Sequence, residues 1–152
     1  MNVVEVCEKN LHEALDIYKR ERAEFFTALN LTMPDDEKLE TEFFGYETGA
    51  ISYILSDKGR AYALFTTDKD RAEISNLCFD LGSLDKAAIT KTLEFAIKQF
   101  SAITLVFIWV DSLNQRLSDV LEDFGFEYTG EQNYLDKEKG ILNFRYVFRR
   151  KK

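Results

Sequence analysis

The stretch Ala72-Glu73-Ile74-Ser75-Asn76-Leu77-Cys78-Phe79 decides how the middle of this chain is folded. Its apolar residues stand at even positions up to Ile74 and at odd positions from Leu77 onward. Because the side chains of a strand alternate between the two faces of a sheet, a slip of one residue moves them to the opposite face. The sequence therefore predicts a strand with a β-bulge near Ser75-Asn76, and bulges often lie beside functional sites.

The residues before this strand predict two more strands. Ile51, Tyr53 and Leu55 recur at every second position, a turn follows at Asp57-Lys58-Gly59, and residues 60–66 run back, which indicates a β-hairpin. Asp68-Lys69-Asp70 then turns the chain into the bulged strand. The three strands are expected to form an antiparallel meander.

The N-terminal part predicts an edge strand and two helices. The edge strand is expected at residues 3–6, and Asn10 followed by Glu13 is typical of an N-cap with its capping box. The helix that starts there is predicted to run to about Leu29. Pro34 and the acidic residues after it indicate the start of a second, short helix.

The part after the bulged strand predicts a helix, a strand and a second helix. Ser83 is expected to cap a helix that ends near Phe100, and the apolar run 103–110 is typical of a strand inside a sheet. The next helix is expected to end at Gly125 in a left-handed conformation. The remaining strands are predicted at residues 126–135 and 141–148.

The composition fits one domain spanning residues 1–152 and argues against two kinds of partner. Hydrophobic residues make up 45% of the chain, which is enough for a packed core. The net charge of -7 argues against nucleic acid as the main partner, because affinity for phosphates comes largely from Lys and Arg. The longest apolar run, 103–110, is far shorter than the roughly 20 residues that span a bilayer, so no membrane segment is expected.

The cysteine and histidine content indicates a reducing compartment and no metal site. Cys7 and Cys78 are far apart in a sequence without a secretory signal, so a disulfide is not expected and the cytoplasm is the expected location. His12 is the single histidine, and neither cysteine belongs to a pair at ligand spacing. A zinc or iron site would lack its usual ligands.

Three short motifs together resemble the GNAT superfamily of acyl-CoA-dependent N-acyltransferases. They are the bulged strand 72–79 leading into a helix, Asn114 at the start of the later helix, and Gly125-Phe126 at the end of that helix. The order of the predicted elements is similar to that of the family over nearly the whole chain. The resemblance implies an α/β fold (α+β with a mixed sheet), in which about four helices flank a central sheet that contains a bulge.

The resemblance also implies a site for acetyl-CoA as co-substrate. In the family, the bulged strand diverges from its parallel neighbour, and the pantetheine arm lies in the opening, bonded to the strand backbone. The pyrophosphate lies at the N terminus of the following helix, where free N–H groups and the helix dipole suit an anion. The residues at the corresponding positions here are Leu77, Cys78, Phe79, Ser83, Lys86, Ala87, Ala88, Ile89, Thr90 and Asn114.

This chain departs from the family's phosphate-binding loop, which reads Gln/Arg-x-x-Gly-x-Gly/Ala. Alignment on Ile89 places Asp85 at the Gln/Arg position, Ala88 at the first Gly and Thr90 at the last. One interpretation is that Lys86 and Lys91 supply the charge for phosphate binding, with hydroxyl groups from Ser83 and Thr90. Gly82 would then loosen the loop one turn early. The other is that these residues are helix surface and caps, and an Asp near an anion is unfavourable by like-charge repulsion.

Acetyl transfer needs a base for the ammonium group and an acid for the departing thiolate. The resemblance implies Glu73 as the base, because many members carry a Glu at this place on the fourth strand. The family's usual acid is a Tyr at the position of Leu121, whose helical spacing instead predicts a core residue. Tyr128 or Tyr134 could substitute from a neighbouring strand. The alternatives are a solvated Glu73 and tyrosines that only pack.

Two functions from different classes follow from these residues. The first is an N-acetyltransferase that uses acetyl-CoA on a small or peptidyl amine, which an acidic surface would attract. The second is a catalytically weak or inactive GNAT-fold binding module. A homodimer through the aromatic face of the last strand is a further hypothesis.

Overall fold

In the part of the chain that the structure describes, seven strands form a central mixed sheet, and helices pack on both of its faces. The computed structural model describes residues 2–44, 50–58, 60–79 and 86–150 of the chain. The strands are β1 (Asn2–Glu5), β2 (Ile51–Asp57), β3 (Arg60–Asp68), β4 (Glu73–Phe79), β5 (Leu105–Asp111), β6 (Glu127–Asp136) and β7 (Ile141–Arg149). Their order across the sheet is β1-β2-β3-β4-β5-β7-β6, with β4 and β5 parallel and the other neighbours antiparallel.

The helices divide the hydrophobic core into two clusters, one on each face of the sheet. The helices are α1 (Leu11–Ala28), α2 (Asp36–Phe44), α3 (Lys86–Lys98) and α4 (Gln115–Phe124). The cluster under α1 and α2 contains Phe43 and Cys78, and we call this side of the sheet the α1 face. The cluster under α3 and α4 contains Phe100 and Leu121, and we call this side the α3 face. The mixed α/β fold predicted from the sequence is therefore confirmed.

The predicted bulge lies in β4. Thr66 of β3 pairs with Asn76, whereas the next residue, Thr67, pairs with Ile74, so Ser75 is the extra residue on β4. The Ser75 hydroxyl donates to the Thr66 carbonyl oxygen at 3.3 Å. The change from even to odd apolar positions thus has the physical cause that the sequence indicated, an inserted residue that reverses the alternation.

The two parallel strands separate shortly after they begin. β4 and β5 are in register at Glu73 with Phe107 and at Ile74 with Ile108, and the pairing ends there. The bulge at Ser75 follows at once, and bulges bend the strand and increase its twist. Residues 76–79 of β4 and residues 109–111 of β5 therefore bound an opening in the sheet, which we call the wedge.

The sequence-based interpretation of Asn10 is wrong in part. Asn10 does precede α1, but its side chain makes no capping hydrogen bond to the helix. Its Oδ1 accepts from the Cys7 N–H at 2.8 Å, and its Nδ2 donates to the Glu5 carbonyl oxygen at 2.9 Å. Asn side chains readily bond to nearby backbone outside a helix, and here that alternative stabilises the turn from β1 into α1.

The two C-terminal strands form the end of the sheet opposite β1. β7 lies between β5 and β6, so β6 is the edge strand. The aromatic side chains of β7 pack against other aromatic residues of the same chain. Between ring centroids, Phe148 lies 5.5 Å from Phe124 and 5.4 Å from Phe126, and Phe144 lies 5.6 Å from Tyr128. A homodimer through that face stays a prediction.

Candidate functional site

A cavity of about 300 Å³ occupies the wedge. Its walls come from α1, the end of β4, the end of β5 and the first turn of α4, so elements far apart in sequence meet there. Among its lining residues are Arg22, Phe25, Leu77, Cys78, Phe79 and Asn114. The structure therefore brings together four of the residues that the resemblance assigns to acetyl-CoA: the three on β4, and Asn114.

The backbone of β4 faces this cavity with one of its edges. Leu77 and Phe79 are paired with β3 on one side, while the pairing with β5 on the other side has already ended at Ile74. Backbone N–H and C=O groups that point away from β3 consequently face the wedge. Such groups need hydrogen-bond partners, and an extended amide-containing chain could supply them.

Asn114 is held at the start of α4 by its own capping bond. Its Oδ1 accepts from the Leu117 N–H at 3.3 Å, as expected for an N-cap. The helix ends at Gly125, which has a φ of 125° and donates its N–H to the carbonyl oxygens of Leu121 and Glu122. Both predicted ends of α4 are confirmed, and they fix the helix N terminus at the mouth of the wedge.

A second cavity of about 190 Å³ lies on the α1 face and reaches towards the joined end of β4 and β5. It is lined by polar and aromatic side chains, including Ser75, Asn76, Trp109 and Asn143. Asn76 Nδ2 donates to Glu42 Oε1 at 3.0 Å, so a carboxylate stands beside this cavity. The two cavities share part of their walls, namely Arg22, Phe25, Leu77, Cys78, Asp111 and Leu117.

An ion pair stands in these shared walls. Arg22 Nη1 donates to Asp111 Oδ2 at 3.0 Å, and the two side chains are 24% and 6% exposed. The guanidinium carbon of Arg22 also lies 3.9 Å from the centroid of the Phe25 ring. Asp111 Oδ1 accepts from the Leu113 N–H at 3.1 Å, which helps to satisfy the buried carboxylate.

Glu73 lies on the α1 face where β4 and β5 are joined, beside Phe107 of β5. Its side chain is half-buried, and burial raises the pKa of the carboxyl above its ordinary value. The Arg71 guanidinium lowers that pKa in part, Asp68 raises it, and Arg145 lowers it. Glu73 does not line either of the two cavities described above, although the next residue along β4 lines the second.

Tyr128 lies far from Glu73. It is directly paired with Tyr146, which is paired with Ile108, and this row of residues is on the α3 face. β6 and β4 are three strand positions apart, which is about 14 Å at a spacing of about 4.8 Å. The Tyr128 hydroxyl donates to Gln132 Oε1 at 2.8 Å. The structure therefore does not bring the two catalytic residues predicted from the sequence together.

The start of α3 is described only from Lys86 onward. Gly82, Ser83 and Asp85, which belong to the predicted phosphate loop, lie outside the described residues, as does Gly59 of the predicted hairpin turn. Lys86 and Ala87 are exposed and Ala88, Ile89 and Thr90 partly buried. Of these, Lys86, Ile89 and Thr90 line a groove of about 440 Å³ between α3 and α4.

Four residues that line the two cavities were not found from the sequence: Arg22, Phe25, Trp109 and Asp111. Asp111 carried a signal, because a carboxylate at the end of an apolar strand is costly unless it has a partner. Arg22 carried none, since its partner lies far along the chain and α1 has many other charged residues. Leu121, at the position of the family's Tyr, is fully buried in the core.

The described part of the chain contains no group of three or more potential metal ligands. Among the helices of residues 2–44 and 86–150, none is long and apolar enough to cross a membrane.

No protein-family profile and no curated protein matches this sequence. Solved structures match it over nearly its whole length. The ribosomal-protein-S18-alanine N-acetyltransferase from Escherichia coli gives a TM-score of 0.72 at 14% identity, covering 97% of this chain and 92% of that one. An acetyltransferase of the GNAT family from Streptococcus pneumoniae gives 0.68 at 14% identity and covers 96% of both chains. A mutant spermidine N-acetyltransferase from Vibrio cholerae gives 0.67 at 9% identity, covering 98% and 95%. At these identities the likeness is one of fold.

Proposed function

We propose that this chain, which has the fold of the GNAT acetyltransferases, is an N-acetyltransferase that transfers the acetyl group of acetyl-CoA to an amine. The observation that carries the proposal is the wedge, where β4 leaves backbone groups without a strand partner beside a cavity of about 300 Å³. A pantetheine arm contains two amide groups and is narrow enough to lie along such an edge. We further expect residues 1–152 to form one domain and the protein to be cytoplasmic.

In this proposal the thioester lies in the first cavity and the amine enters through the second. The amine nitrogen attacks the thioester carbonyl carbon, while backbone N–H groups near Leu77 polarise the carbonyl oxygen. Glu73, on the α1 face, accepts the ammonium proton through intervening water molecules. A general base works best when its pKa lies near the operating pH, because it is then ionised and still accepts a proton readily. Burial raises the pKa of Glu73 in that direction.

The acceptor is proposed to be a small or peptidyl amine. Glu42 stands beside the second cavity through its bond to Asn76, and the chain has a net charge of -7. Both features attract a cationic group. The names of two structurally similar enzymes give different acceptors, spermidine for one and the alanine of a ribosomal protein for the other.

The second candidate is a GNAT-fold binding module with little or no turnover. Two observations favour it: Leu121 provides no acid where the family has a Tyr, and Glu21 and Glu24 line the first cavity, where they would repel an anionic donor. Such a module would bind its ligand in the same wedge but release no free thiol.

Calorimetry and thermal unfolding with acetyl-CoA test the proposal first. A ligand at about 100 times its Kd adds roughly 2.7 kcal/mol to the free energy of unfolding. If millimolar acetyl-CoA produces no binding heat and no shift in Tm, the acetyltransferase function is excluded. Binding without release of CoA thiol, across amines that include spermidine and an alanine-terminated peptide, would favour the binding module.

Glu73→Gln then tests the base. We expect turnover to fall by about 10²-fold or more, with the affinity for acetyl-CoA unchanged, because the carboxylate acts on the amine and not on the donor. Glu138→Gln is the matched control, since Glu138 is exposed in the turn before β7. Equal turnover of Glu73→Gln and the control would remove Glu73 from the mechanism.

A further inference from the structure

Arg22 occupies the place where the donor and the acceptor must meet. It lines both cavities, and its ion pair with Asp111 spans from α1 to the end of β5 across their shared walls. Acyl transfer requires the reacting atoms to approach within about 3.5 Å. If the donor fills the first cavity and the amine enters through the second, the reacting atoms lie beside this ion pair.

The charge of Arg22 suits one of the reacting groups and opposes another. A guanidinium disfavours a neighbouring ammonium and stabilises a neighbouring anion. The anions that form during acyl transfer are the carbonyl oxygen of the tetrahedral intermediate and the departing sulfur. In the proposed function the backbone of β4 supplies N–H groups for the oxygen, whereas the buried Leu121 offers nothing to the sulfur.

The geometry of Arg22 is fixed by its neighbours. Asp111 holds one arm of the guanidinium, and the Phe25 ring lies beneath its plane. A guanidinium has more N–H donors than one carboxylate oxygen can accept, so the pair with Asp111 leaves capacity for a second acceptor. Because Asp111 is nearly completely buried, the pair is screened by water only weakly.

We propose that Arg22, oriented by Asp111, is a catalytic residue that stabilises the departing thiolate of coenzyme A. The proposal rests on the acetyltransferase function above. As the new C–N bond forms, the C–S bond breaks and its electron pair goes to sulfur. The ammonium proton goes through water to Glu73 before the attack, and the second proton that the nitrogen loses on becoming an amide goes to solvent. The thiolate beside Arg22 is later protonated from solvent, so the net products are the amide, the free thiol of CoA and one proton. Arg22 keeps its own protons throughout, because a guanidinium does not deprotonate in proteins.

The pKa of the thiol in bound CoA tests this role without requiring an acceptor. It is measured from the ultraviolet absorbance of the thiolate as pH is varied, with CoA saturating. In the wild-type complex we expect this pKa to lie about one unit or more below that of free CoA, because an adjacent opposite charge favours the ionised form. In Arg22→Met it should return to the value of free CoA or above it.

Two further variants separate this role from a structural one. Arg22→Lys retains the charge and should give an intermediate thiol pKa, and it serves if Arg22→Met does not fold. Arg20→Met is the matched control, since Arg20 is on the same helix, pairs with Glu21 and lines neither cavity. It should leave the thiol pKa as in the wild type. Once an acceptor amine has been identified, we expect the kcat of Arg22→Met to be about 10²-fold below that of the wild type, with little change in KM for acetyl-CoA.

The outcomes distinguish this proposal from the one on which it rests. A wild-type protein that does not bind CoA would overturn both. Binding of CoA with the same thiol pKa in wild type, Arg22→Lys and Arg22→Met would overturn the role of Arg22 and leave the acetyltransferase function standing.

Discussion

Cys78 shows how burial decides the chemistry of a single side chain in the wedge. It is almost completely buried, and burial raises the pKa of its thiol to about 12. The thiolate is the reactive form of cysteine, so Cys78 should be inert at neutral pH although it lines both cavities. Cys7, by contrast, is exposed.

Thiol labelling checks this difference. With an aromatic disulfide reagent at pH 7, we expect the native protein to react once, at Cys7, and the unfolded protein to react twice. Cys7→Ser should show no rapid reaction until denaturant is added. Rapid labelling of Cys78 in the native Cys7→Ser variant would contradict the burial described here.

The raised pKa of Glu73 also affects stability. A carboxyl whose pKa is higher in the folded state binds its proton more tightly there. Its contribution to stability is therefore present at acid pH and is lost as pH rises through the folded-state pKa. Burial is the main cause of the raised pKa. At neutral pH the ionised Glu73 is a net cost to folding.

We accordingly expect Glu73→Gln to raise the free energy of unfolding at pH 7 and to change it little at pH 4. Urea denaturation at the two values measures this, with Glu138→Gln as the exposed control, which should not depend on pH in this way. A Glu73→Gln variant that loses stability at pH 7 would mean that the attraction to Arg71 and Arg145 outweighs the cost of burial.

At the scale of the element, α4 is the part of the site whose ends are best defined. Asn114 caps its start, and Gly125 ends it at a φ of 125° that side-chain-bearing residues adopt only with strain. We expect Asn114→Ala to cost about 1 kcal/mol of stability and Gly125→Ala about 1 to 2 kcal/mol. Thermal and urea unfolding measure both changes, with Asp119→Ala on the exposed side of the same helix as a control expected to cost less than about 0.5 kcal/mol.

These two ends also show why parts of the fold could be predicted and others not. The signals at Asn114 and Gly125 are local, because each residue bonds to backbone within its own helix. The bulge at Ser75 was equally visible, since it reverses the alternation of apolar residues. Asn10 resembled a cap but bonds to the preceding strand. That choice depends on where β1 lies, which no local pattern reveals.

At the scale of the whole molecule, the candidate site is an assembly that only the folded chain creates. The strand residues 77–79 and Asn114 could be assigned to it from the sequence because they follow short motifs. The pairing of Arg22 with Asp111 could not be predicted, since this contact joins α1 to β5 across the wedge. Tyr128 was proposed as a tyrosine on a neighbouring strand, but the strand order β4-β5-β7-β6 places it three strand positions from β4. Its register with Tyr146 places it on the α3 face, opposite to Glu73.

The strand order also leaves β6 as a long edge strand, with nearly all of its residues exposed. A free edge is a template for pairing with further chains, and it promotes aggregation when it is flat and apolar. β6 is neither. Its pairing with β7 is interrupted twice, Gly130 has a φ of 85°, and it carries Glu127, Glu131 and Asp136. Two copies meeting at this edge would present mismatched hydrogen bonds and like charges, so the fold can expose tyrosines there and still resist growth into fibres.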